Sequence, residues 1–516
     1  MSHLFKQTNI TATERSAFGE TVAVEISPVF QIDGIYGIDN TDDWQINTGG
    51  SGSAETGTDL TFEVHSGVTP GSFCTLRSRR SVRYRPGQGS MTRFTAMFPD
   101  GPQLGYQQVA GFINQSDVLA VGYNVDGEFG IIRRYFSKAE LWKLSVTFPC
   151  GAETISIELN GVTHEIITTT QSSTQETAAL IATDLDWESL GWIVDYTGSD
   201  VFFLYNGPPG DLSGAFSFSS NGTATAIGET LIDGAAPADT WVYQSSFNED
   251  TLDGNGPSKM ILDKTKLNVY QIDFRWLGAG ILRFAIEDQA TGQMIPFHTI
   301  HYTNQNIQPS LSNPSMKVGF AVVNAAPGLG TGVDVHVKGA SVMGAIQGAI
   351  VGNSSVFAVN SETTTNLDFG ERHHLLTIKN KRIFGSTSAD ARLNQRELYL
   401  EAVSCGVRVT SGSRPVEVLL YKNANFVDGL SAPVPLVYED VNKAIASSST
   451  TARLDPSPSN PAQLVTAFTI SPQTPSTIDL TQYRILLTPT DTISLVIYSP
   501  EQQVTDSLTS FIFVQE

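Results

Sequence analysis

The sequence predicts a mainly β fold, and three observations support this prediction. Apolar and polar residues alternate with a period of two in many short segments, as they do in strands that bury one face. Charged residues make up only 16% of the 516 residues, and much of the remaining polarity comes from Ser, Thr, Asn and Gln. Glycines and prolines, 45 and 24 in number, supply the turns that short strands need.

Composition shifts divide the chain into four predicted parts. They are an N-terminal arm or docking strands (1–40), a discontinuous concanavalin-like sandwich (41–142 plus 236–345), a small inserted α+β domain (143–235) and a jelly-roll-like C-terminal sandwich (353–516). The length supports about three independent units, because single cores stop growing beyond about 250–300 residues. The insertion is expected at a loop, where chain ends lie close together.

Regular alternation in the first sandwich begins near residue 60. Phe62 and Val64 share one strand face, whereas Glu63 and His65 lie on the other. Further along, a hairpin is expected around Asp126-Gly127, because Asp-Gly is a common hairpin turn.

The predicted insertion has a ββαββ order. Strands are expected at 155–159 and 162–167, joined by an Asn-Gly turn, and again at 192–196 and 201–205. Between these two pairs, Ser173 and Glu176 form a capping box. The helical spacing that follows involves apolar residues at 178, 181, 182 and 185.

The clearest alternation of the chain lies at residues 268–276. Its members on one predicted face are Tyr270, Ile272, Phe274 and Trp276. The glycines at 278 and 280 then predict a tight reversal into a second strand at 281–286.

The C-terminal part follows a predicted Gly-rich hinge at 344–352. Its expected strands are 397–403, 416–421, 485–487, 493–498 and a buried last strand at 511–514. Three prolines exclude 455–461 from a central strand, so this segment is predicted to be a surface loop.

Charge and cysteine content restrict the functional classes. A net charge of −21 repels phosphate backbones and anionic membranes, so nucleic-acid binding is not expected. The apolar run at 342–352 is too short to span a bilayer. Cys74, Cys150 and Cys405 are expected to be reduced and buried, and the N-terminal residues lack the pattern of a signal peptide. These features predict synthesis in a cytosol and no membrane insertion.

A row of arginines is the first candidate site. Arg77, Arg79, Arg83 and Arg85 have the same parity, so an unbroken strand would direct all four guanidinium groups to one face. Three interpretations stay open: a solvated face with intramolecular ion pairs, a subunit interface, or a site for an anionic glycan or nucleic-acid end.

An acidic loop at 248–256 is the second candidate. Oxygen ligands on a Gly-rich loop suit calcium, but EF-hand spacing needs a ligand where Leu252 stands. A structural turn is therefore the favoured interpretation. Neither this loop nor any other segment predicts a metal, cofactor or catalytic residue.

Two further sets of residues have structural explanations. Asp126 and Glu128 flank a turn glycine, so turn chemistry explains them better than the paired carboxylates of a glycan-cleaving enzyme. The pairs His298/His301 and His373/His374 are expected to be packing residues. We therefore expect no enzymatic activity.

Several segments between residues 70 and 310 resemble a recurrent virion structural protein family of tailed phages and large DNA viruses. The matching segments are 77–80, 84–89, 94–98, 130–135, 267–304 and 309–311, with a weaker echo at 438–442. One departure is Phe247-Asn248, where the family often has Trp-Asn. Fibre, spike and surface-decoration components are typical of this family.

The resemblance implies a fibre, spike or tail-associated component that self-assembles, as a homotrimer by analogy, and mediates host-surface attachment. Other virion proteins and a host surface glycan would be its partners, with assembly in the host cytoplasm and a final place in the virion. Two alternatives stay open, namely a capsid decoration or tail adaptor protein without receptor contact, and a glycan-active enzyme on a lectin-like sandwich.

Overall fold

The computed structural model describes residues 26–515 apart from positions 41, 86, 185, 188–189, 208, 211, 326–331, 349–355, 368–369, 386, 389–390, 395, 412–414, 428–435, 437–443, 448–451, 459, 472–475, 484 and 499–502. The chain divides into two compact units. Their described residues are 26–46, 53–133 and 240–348 in the first unit, and 47–52, 134–239 and 356–515 in the second.

The strands of the first half are β1 (Ile26–Asp33), β2 (Trp44–Gly49), β3 (Ser53–Thr56), β4 (Phe62–His65), β5 (Phe73–Ser78), β6 (Gly89–Ala96), β7 (Tyr106–Ile113), β8 (Val118–Tyr123), β9 (Phe129–Tyr135), β10 (Leu141–Phe148), β11 (Thr154–Leu159), β12 (Val162–Ile167), β13 (Trp192–Thr197), β14 (Asp200–Tyr205), β15 (Ser217–Ser220), β16 (Thr225–Ile232) and β17 (Ala238–Tyr243). Helix α1 spans Thr174–Ala182, between β12 and β13.

The later strands are β18 (Asn268–Phe274), β19 (Leu282–Glu287), β20 (Met294–Ile300), β21 (Val318–Asn324), β22 (His336–Gly339), β23 (Ser341–Gln347), β24 (Val356–Leu367), β25 (Arg372–Lys379), β26 (Ile383–Phe384), β27 (Arg392–Leu393), β28 (Leu398–Ser411), β29 (Val416–Lys422), β30 (Phe426–Val427), β31 (Ala444–Ser447), β32 (Arg453–Leu454), β33 (Gln463–Ile470), β34 (Ser476–Asp479), β35 (Leu486–Leu487), β36 (Thr492–Tyr498) and β37 (Gln503–Gln515). Short 3-10 segments span Gly34–Tyr36, Gln244–Ser246 and Thr481–Tyr483.

The first unit is a sandwich of antiparallel sheets. One sheet has the order β1-β23-β6-β18-β19-β20, and the other has the order β17-β9-β8-β7-β21-β5-β2. Side chains of both sheets form one apolar core, in which the rings of Phe112 and Phe274 pack edge to face at 5.5 Å. A small third sheet, β22-β4-β3, contributes Phe62 and Val64 to the same core.

The second unit contains the helix. The sheets β13-β14-β10-β16 and β12-β11-β15 share an apolar cluster with α1. Ser173 caps the helix by accepting a hydrogen bond from the Glu176 N–H at 3.2 Å. The Glu176 carboxylate accepts in return from the Ser172 N–H at 2.8 Å, one residue earlier than an ideal capping box requires.

A second pair of antiparallel sheets in this unit comes from the C-terminal residues. One sheet has the order β24-β37-β28-β34, and the other has the order β30-β32-β25-β36-β29-β33. Their inner faces bury aliphatic side chains together with Phe511 and Phe513. The predicted last strand is therefore confirmed, and it is longer than its apolar run.

The structure confirms the mainly β class, the insertion hairpin, the helix, and the strand pair formed by β18 and β19. It corrects the predicted hinge at 344–352, because residues up to Gln347 continue β23 between β1 and β6. The rest of that hinge apart from Gly348, residues 1–25 of the predicted arm, Leu185 and the echo at 438–442 lie outside the described residues. The four-part division and the concanavalin-like and jelly-roll details stay predictions.

The three cysteines are buried and free, as predicted. Burial raises the pKa of the Cys74 and Cys405 thiols to about 12, because desolvation disfavours the thiolate. Both are therefore unreactive thiols at neutral pH.

Candidate functional site: two paired loops of the first unit

The predicted arginine row does not lie in one strand, so the premise of a shared face is wrong. Arg77 is in β5 and is buried, with 9% of its surface exposed. Arg79, Arg83 and Arg85 follow β5 in a bend and a loop, and they are half-buried. Their proposed role at an interface or anion site stays a prediction.

A serine ends the strand. The Ser78 hydroxyl accepts a hydrogen bond from the Val318 N–H at 3.1 Å and donates one to the Arg80 carbonyl at 2.7 Å. This side chain thus takes the place of the next backbone partner in the ladder. The Arg79 guanidinium then turns back and donates to the Asn40 carbonyl, with Nη2 at 2.6 Å.

Tyr84 connects the arginine segment to a second region. Its ring packs edge to face on Trp276 at 5.4 Å, and its hydroxyl accepts a hydrogen bond from the Leu277 N–H at 3.1 Å. Arg83 and Arg85 precede and follow Tyr84 in the sequence.

That loop (275–281) and the loop 301–312 are joined, and we call them the paired loops. Three hydrogen bonds connect them: Ser310 N–H to the Gly278 carbonyl at 2.8 Å, the Thr303 hydroxyl to the Ala279 carbonyl at 2.7 Å, and Trp276 Nε1 to the Leu311 carbonyl at 3.1 Å. Gly280 permits the tight reversal, because a Cβ at this position would overlap the Arg275 carbonyl oxygen.

Arg133 contacts the longer of the paired loops, residues 301–312. Its Nη1 donates to the Ser310 carbonyl at 3.1 Å, and its guanidinium lies over the Tyr302 ring, 5.5 Å from the centroid. The Tyr302 ring is buried. The geometry is that of a cation–π contact, which fixes one end of the longer loop.

Asp117 holds the other end. This fully buried carboxylate accepts hydrogen bonds from the Ser312 N–H at 2.7 Å, the Asn313 N–H at 3.2 Å and the hydroxyls of Ser312 and Ser116. Hydrogen bonds to a charged acceptor are stronger than neutral ones. The longer loop is therefore fixed at both ends.

Large aliphatic side chains of the paired loops remain in solvent. Leu277 is 74% exposed, Ile281 is exposed, and Ile307 is fully exposed. Single exposed aliphatic residues are common on protein surfaces. Here three of them lie on two loops that are joined by hydrogen bonds.

The acidic loop at 248–256 has the hydrogen bonds of a structural turn. Asp250 is buried and accepts from the N–H groups of Leu252 and Ser258, each at 2.8 Å. Asp253 accepts hydrogen bonds from the Thr251 hydroxyl at 2.7 Å and from the Asn255 N–H at 2.9 Å, and both hold the pKa of its carboxyl below its usual value.

Asp126 and Glu128 occupy the predicted turn between β8 and β9. Asn124 Oδ1 accepts hydrogen bonds from both of their N–H groups, at 3.0 and 2.8 Å, and both residues are exposed. The turn explains their presence.

Both predicted histidine pairs contain packing residues. His298 is buried, which lowers the pKa of its imidazole, and its Nδ1 accepts from the Asn248 N–H at 3.2 Å. His373 and His374 are both buried in β25, and His374 forms a 2.7 Å hydrogen bond with Thr377.

Within the described ranges, two groups of side chains place three potential metal-ligand atoms within 4.8 Å of one another. They are Glu55, Glu63 and His65 in the first unit, and His164, Asp184 and Asp186 in the second. The described residues contain no helix with the length and apolar character needed to cross a membrane.

Comparisons with known proteins give the following matches. No protein-family model and no curated protein matches the sequence. Among solved structures, the chain is similar to a candidate beta-glucanase from Mycobacterium abscessus, at 11% identity over 62% of this chain and 100% of that chain, with a TM-score of 0.25. It is similar to arcelin-5, a lectin-like defense protein of Phaseolus vulgaris, at 8% identity over 62% and 99%, with a TM-score of 0.22.

A viral particle protein is also among these structures. The chain is similar to that of the IBDV viral particle at 8% identity over 83% of this chain and 68% of that chain, with a TM-score of 0.14. The structural neighbours thus include viral particle proteins and a lectin-like protein. Because all these TM-scores are low, the similarities do not assign a function.

The sequence alone does not indicate that the loops 275–281 and 301–312 are joined. It predicted the reversal at 278–280, but the partner loop is joined to it only by tertiary hydrogen bonds. The aliphatic residues Leu277 and Ile307, within segments rich in turn and polar residues, were the available indication.

Proposed function

We propose that this chain is a virion structural protein that self-associates through the paired loops. The main support for self-association is that hydrogen bonds hold the paired loops in place while the side chains of Leu277, Ile281 and Ile307 remain exposed. A surface that is already fixed loses little conformational entropy on binding. Burying an exposed Leu or Ile side chain then contributes about 1.5–3 kcal/mol.

The partner that we propose is a second copy of the chain. Each copy has a net charge of −21, so the attraction at the paired loops comes from burial of their exposed aliphatic side chains. Repulsion between the more distant surfaces is screened beyond about 8 Å at physiological ionic strength.

The resemblance to virion proteins supplies the biological setting of the proposal. In this setting the chain is a fibre, spike or tail-associated component, assembled in the host cytoplasm as a homotrimer, which contacts other virion proteins and a host surface glycan. Its role is mechanical and adhesive and not enzymatic. The alternative is a capsid decoration or tail adaptor protein, in which the same self-association serves the particle surface alone.

The direct test replaces the exposed aliphatic residues with charge. We expect the double variant Leu277→Asp/Ile307→Asp to shift the mass measured by sedimentation equilibrium from an oligomer to a monomer. Both side chains are exposed, so the folded monomer should be unaffected. An unchanged oligomer mass in the double variant, or a monomeric parent chain, contradicts the proposal.

Leu104→Asp is the matched control. Leu104 is 64% exposed and belongs to the same unit. It lies near the turn that follows β8, since the Gly105 N–H donates to the Val125 carbonyl at 2.7 Å, whereas Asp117 precedes β8 at the paired loops. Strand β8 lies between Leu104 and the paired loops. The Leu104→Asp variant should therefore keep the oligomer mass of the parent chain.

A further inference from the structure

The small sheet β22-β4-β3 has an outward face with an unusual charge arrangement. In its register Glu55 on β3 lies directly opposite Glu63 on β4, and His65 follows two residues later on the same face. Two like charges in opposite positions destabilise an antiparallel pair. The arrangement therefore favours positive charge beside the glutamates, and Lys338 on β22 supplies part of it by pairing with Glu63.

The distances among the three side chains fit a small metal ion. His65 Nε2 lies 3.6 Å from Glu55 Oε1 and 3.6 Å from Glu63 Oε2. A tetrahedral Zn²⁺ with bonds of about 2.0–2.2 Å holds its ligand atoms about 3.3–3.6 Å apart. The two distances from His65 Nε2 thus match such a site, and all three ligand atoms lie within 4.8 Å of one another.

Asp334 orients the imidazole. Its Oδ2 lies 2.9 Å from His65 Nδ1, and its Oδ1 accepts a hydrogen bond from the Gly67 N–H at 2.8 Å, which holds the carboxylate in place. A carboxylate that accepts from one imidazole nitrogen directs the lone pair of the other nitrogen to the metal. His65 Nε2 is shielded from solvent and has no hydrogen-bond partner among the described residues.

The remaining neighbours leave the ligand atoms available. Lys338 contacts Glu63 through Oε1, so that Oε2 faces His65. His336 stacks on His65 at 5.2 Å between ring centroids and pairs with Asp100 through its own Nδ1. The Glu55 side chain is 67% exposed, which gives an ion and a water ligand access to the site.

We propose that Glu55, Glu63 and His65 bind a divalent transition-metal ion of the Zn²⁺ class, with Asp334 as the residue that positions His65. An imidazole ligand selects this class over Ca²⁺ and Mg²⁺, which prefer oxygen ligands alone. Water completes the coordination. The ion links β3 to β4 and offsets the repulsion between the two glutamates.

The test is Zn²⁺ titration by calorimetry of the full chain after chelator treatment. The chain carries the second group of potential ligands, so every variant is made in a His164→Gln background that disables that group. This background should bind one Zn²⁺ per chain. Asp334→Asn should weaken binding by roughly 10–100-fold, and Glu55→Gln and His65→Gln should each weaken it further.

Glu55→Gln keeps the test decisive if His65→Gln fails to fold, because Glu55 is mostly exposed. Co²⁺ gives a second measurement, since it should show the strong visible absorption of a tetrahedral ion in the background chain and lose it in Glu55→Gln. Absence of Zn²⁺ binding in the His164→Gln chain overturns the proposal. Equal affinity in the background chain and in Glu55→Gln also overturns it.

Discussion

The replacement Asp117→Asn tests whether the paired loops are held by the buried carboxylate. In the native chain Oδ1 accepts from the Ser312 N–H, and Oδ2 accepts from the Asn313 N–H and from two hydroxyls. An asparagine offers one acceptor oxygen, and its NH₂ group would face a donor. One buried backbone N–H therefore loses its partner in either orientation of the amide.

The expected magnitude follows from these hydrogen bonds. An unsatisfied buried donor costs about 1–3 kcal/mol, and the bonds that remain lose the contribution of the charged acceptor. We expect the opening of the 312–313 segment to become easier by about 2–4 kcal/mol. Since 1.4 kcal/mol is a factor of ten, amide exchange there should accelerate roughly 30-fold or more.

Hydrogen exchange followed by mass spectrometry measures this change on peptides that cover residues 301–315. Ser116→Ala is the control, because it removes one hydroxyl donor and leaves both backbone donors paired. Exchange in this variant should change less than in Asp117→Asn. Unchanged exchange of the 312–313 amides in Asp117→Asn would refute the assignment of Asp117 as the support of the loop.

Three other perturbations test the second unit. Asp195→Asn should destabilise the second unit by about 3–5 kcal/mol in urea unfolding, because the buried Lys379 ammonium loses its carboxylate partner. Adding Lys379→Met should recover part of this lost stability. Absence of any recovery would contradict the pairing of Asp195 with Lys379. Burial lowers the pKa of the His374 imidazole to about 3, whereas its pKa in the unfolded chain is about 6.5. Protonation as the pH falls from 7 to 5 therefore favours the unfolded chain and lowers the free energy of unfolding by about 2 kcal/mol. His374→Gln should reduce the loss measured between these two pH values, and an identical loss would contradict it. Ser173→Ala should lower the melting temperature through the loss of about 1 kcal/mol of helix capping, whereas Ser172→Ala, which keeps the cap, should change it less.

Local sequence patterns predicted the elements that short-range chemistry determines. The Asn160-Gly161 turn adopts positive φ at both residues, 53° and 79°, as the hairpin requires. Ser173 caps α1 because its hydroxyl reaches an N–H three residues later. The strand with Tyr270 and Ile272 on one face has both side chains fully buried.

The wrong predictions concern places where a distant partner decides. Arginine parity could not show that the Ser78 hydroxyl would end β5 through a bond to Val318, 240 residues later. The glycines near 344 suggested a hinge, but Gly344 lies in β23 and lacks the room for a Cβ beside Val82 and Phe30. Close packing, not flexibility, explains the glycine there.

The candidate sites depend on the same kind of long-range information. The shared parity of Glu63 and His65 was visible in the sequence, whereas their grouping with Glu55 needs the register of β3 against β4. The support of the paired loops by Asp117 likewise joins residues about 195 positions apart. No spacing pattern in the sequence reports such contacts.

Immunogold electron microscopy of purified virions, with antibody against this chain, tests the central proposal most directly. A virion structural protein predicts label on intact particles. Label at tail or fibre tips would favour the attachment role, and label spread over the capsid would favour decoration. Absence of label on both intact and disrupted particles would contradict the proposal that the chain is a virion component.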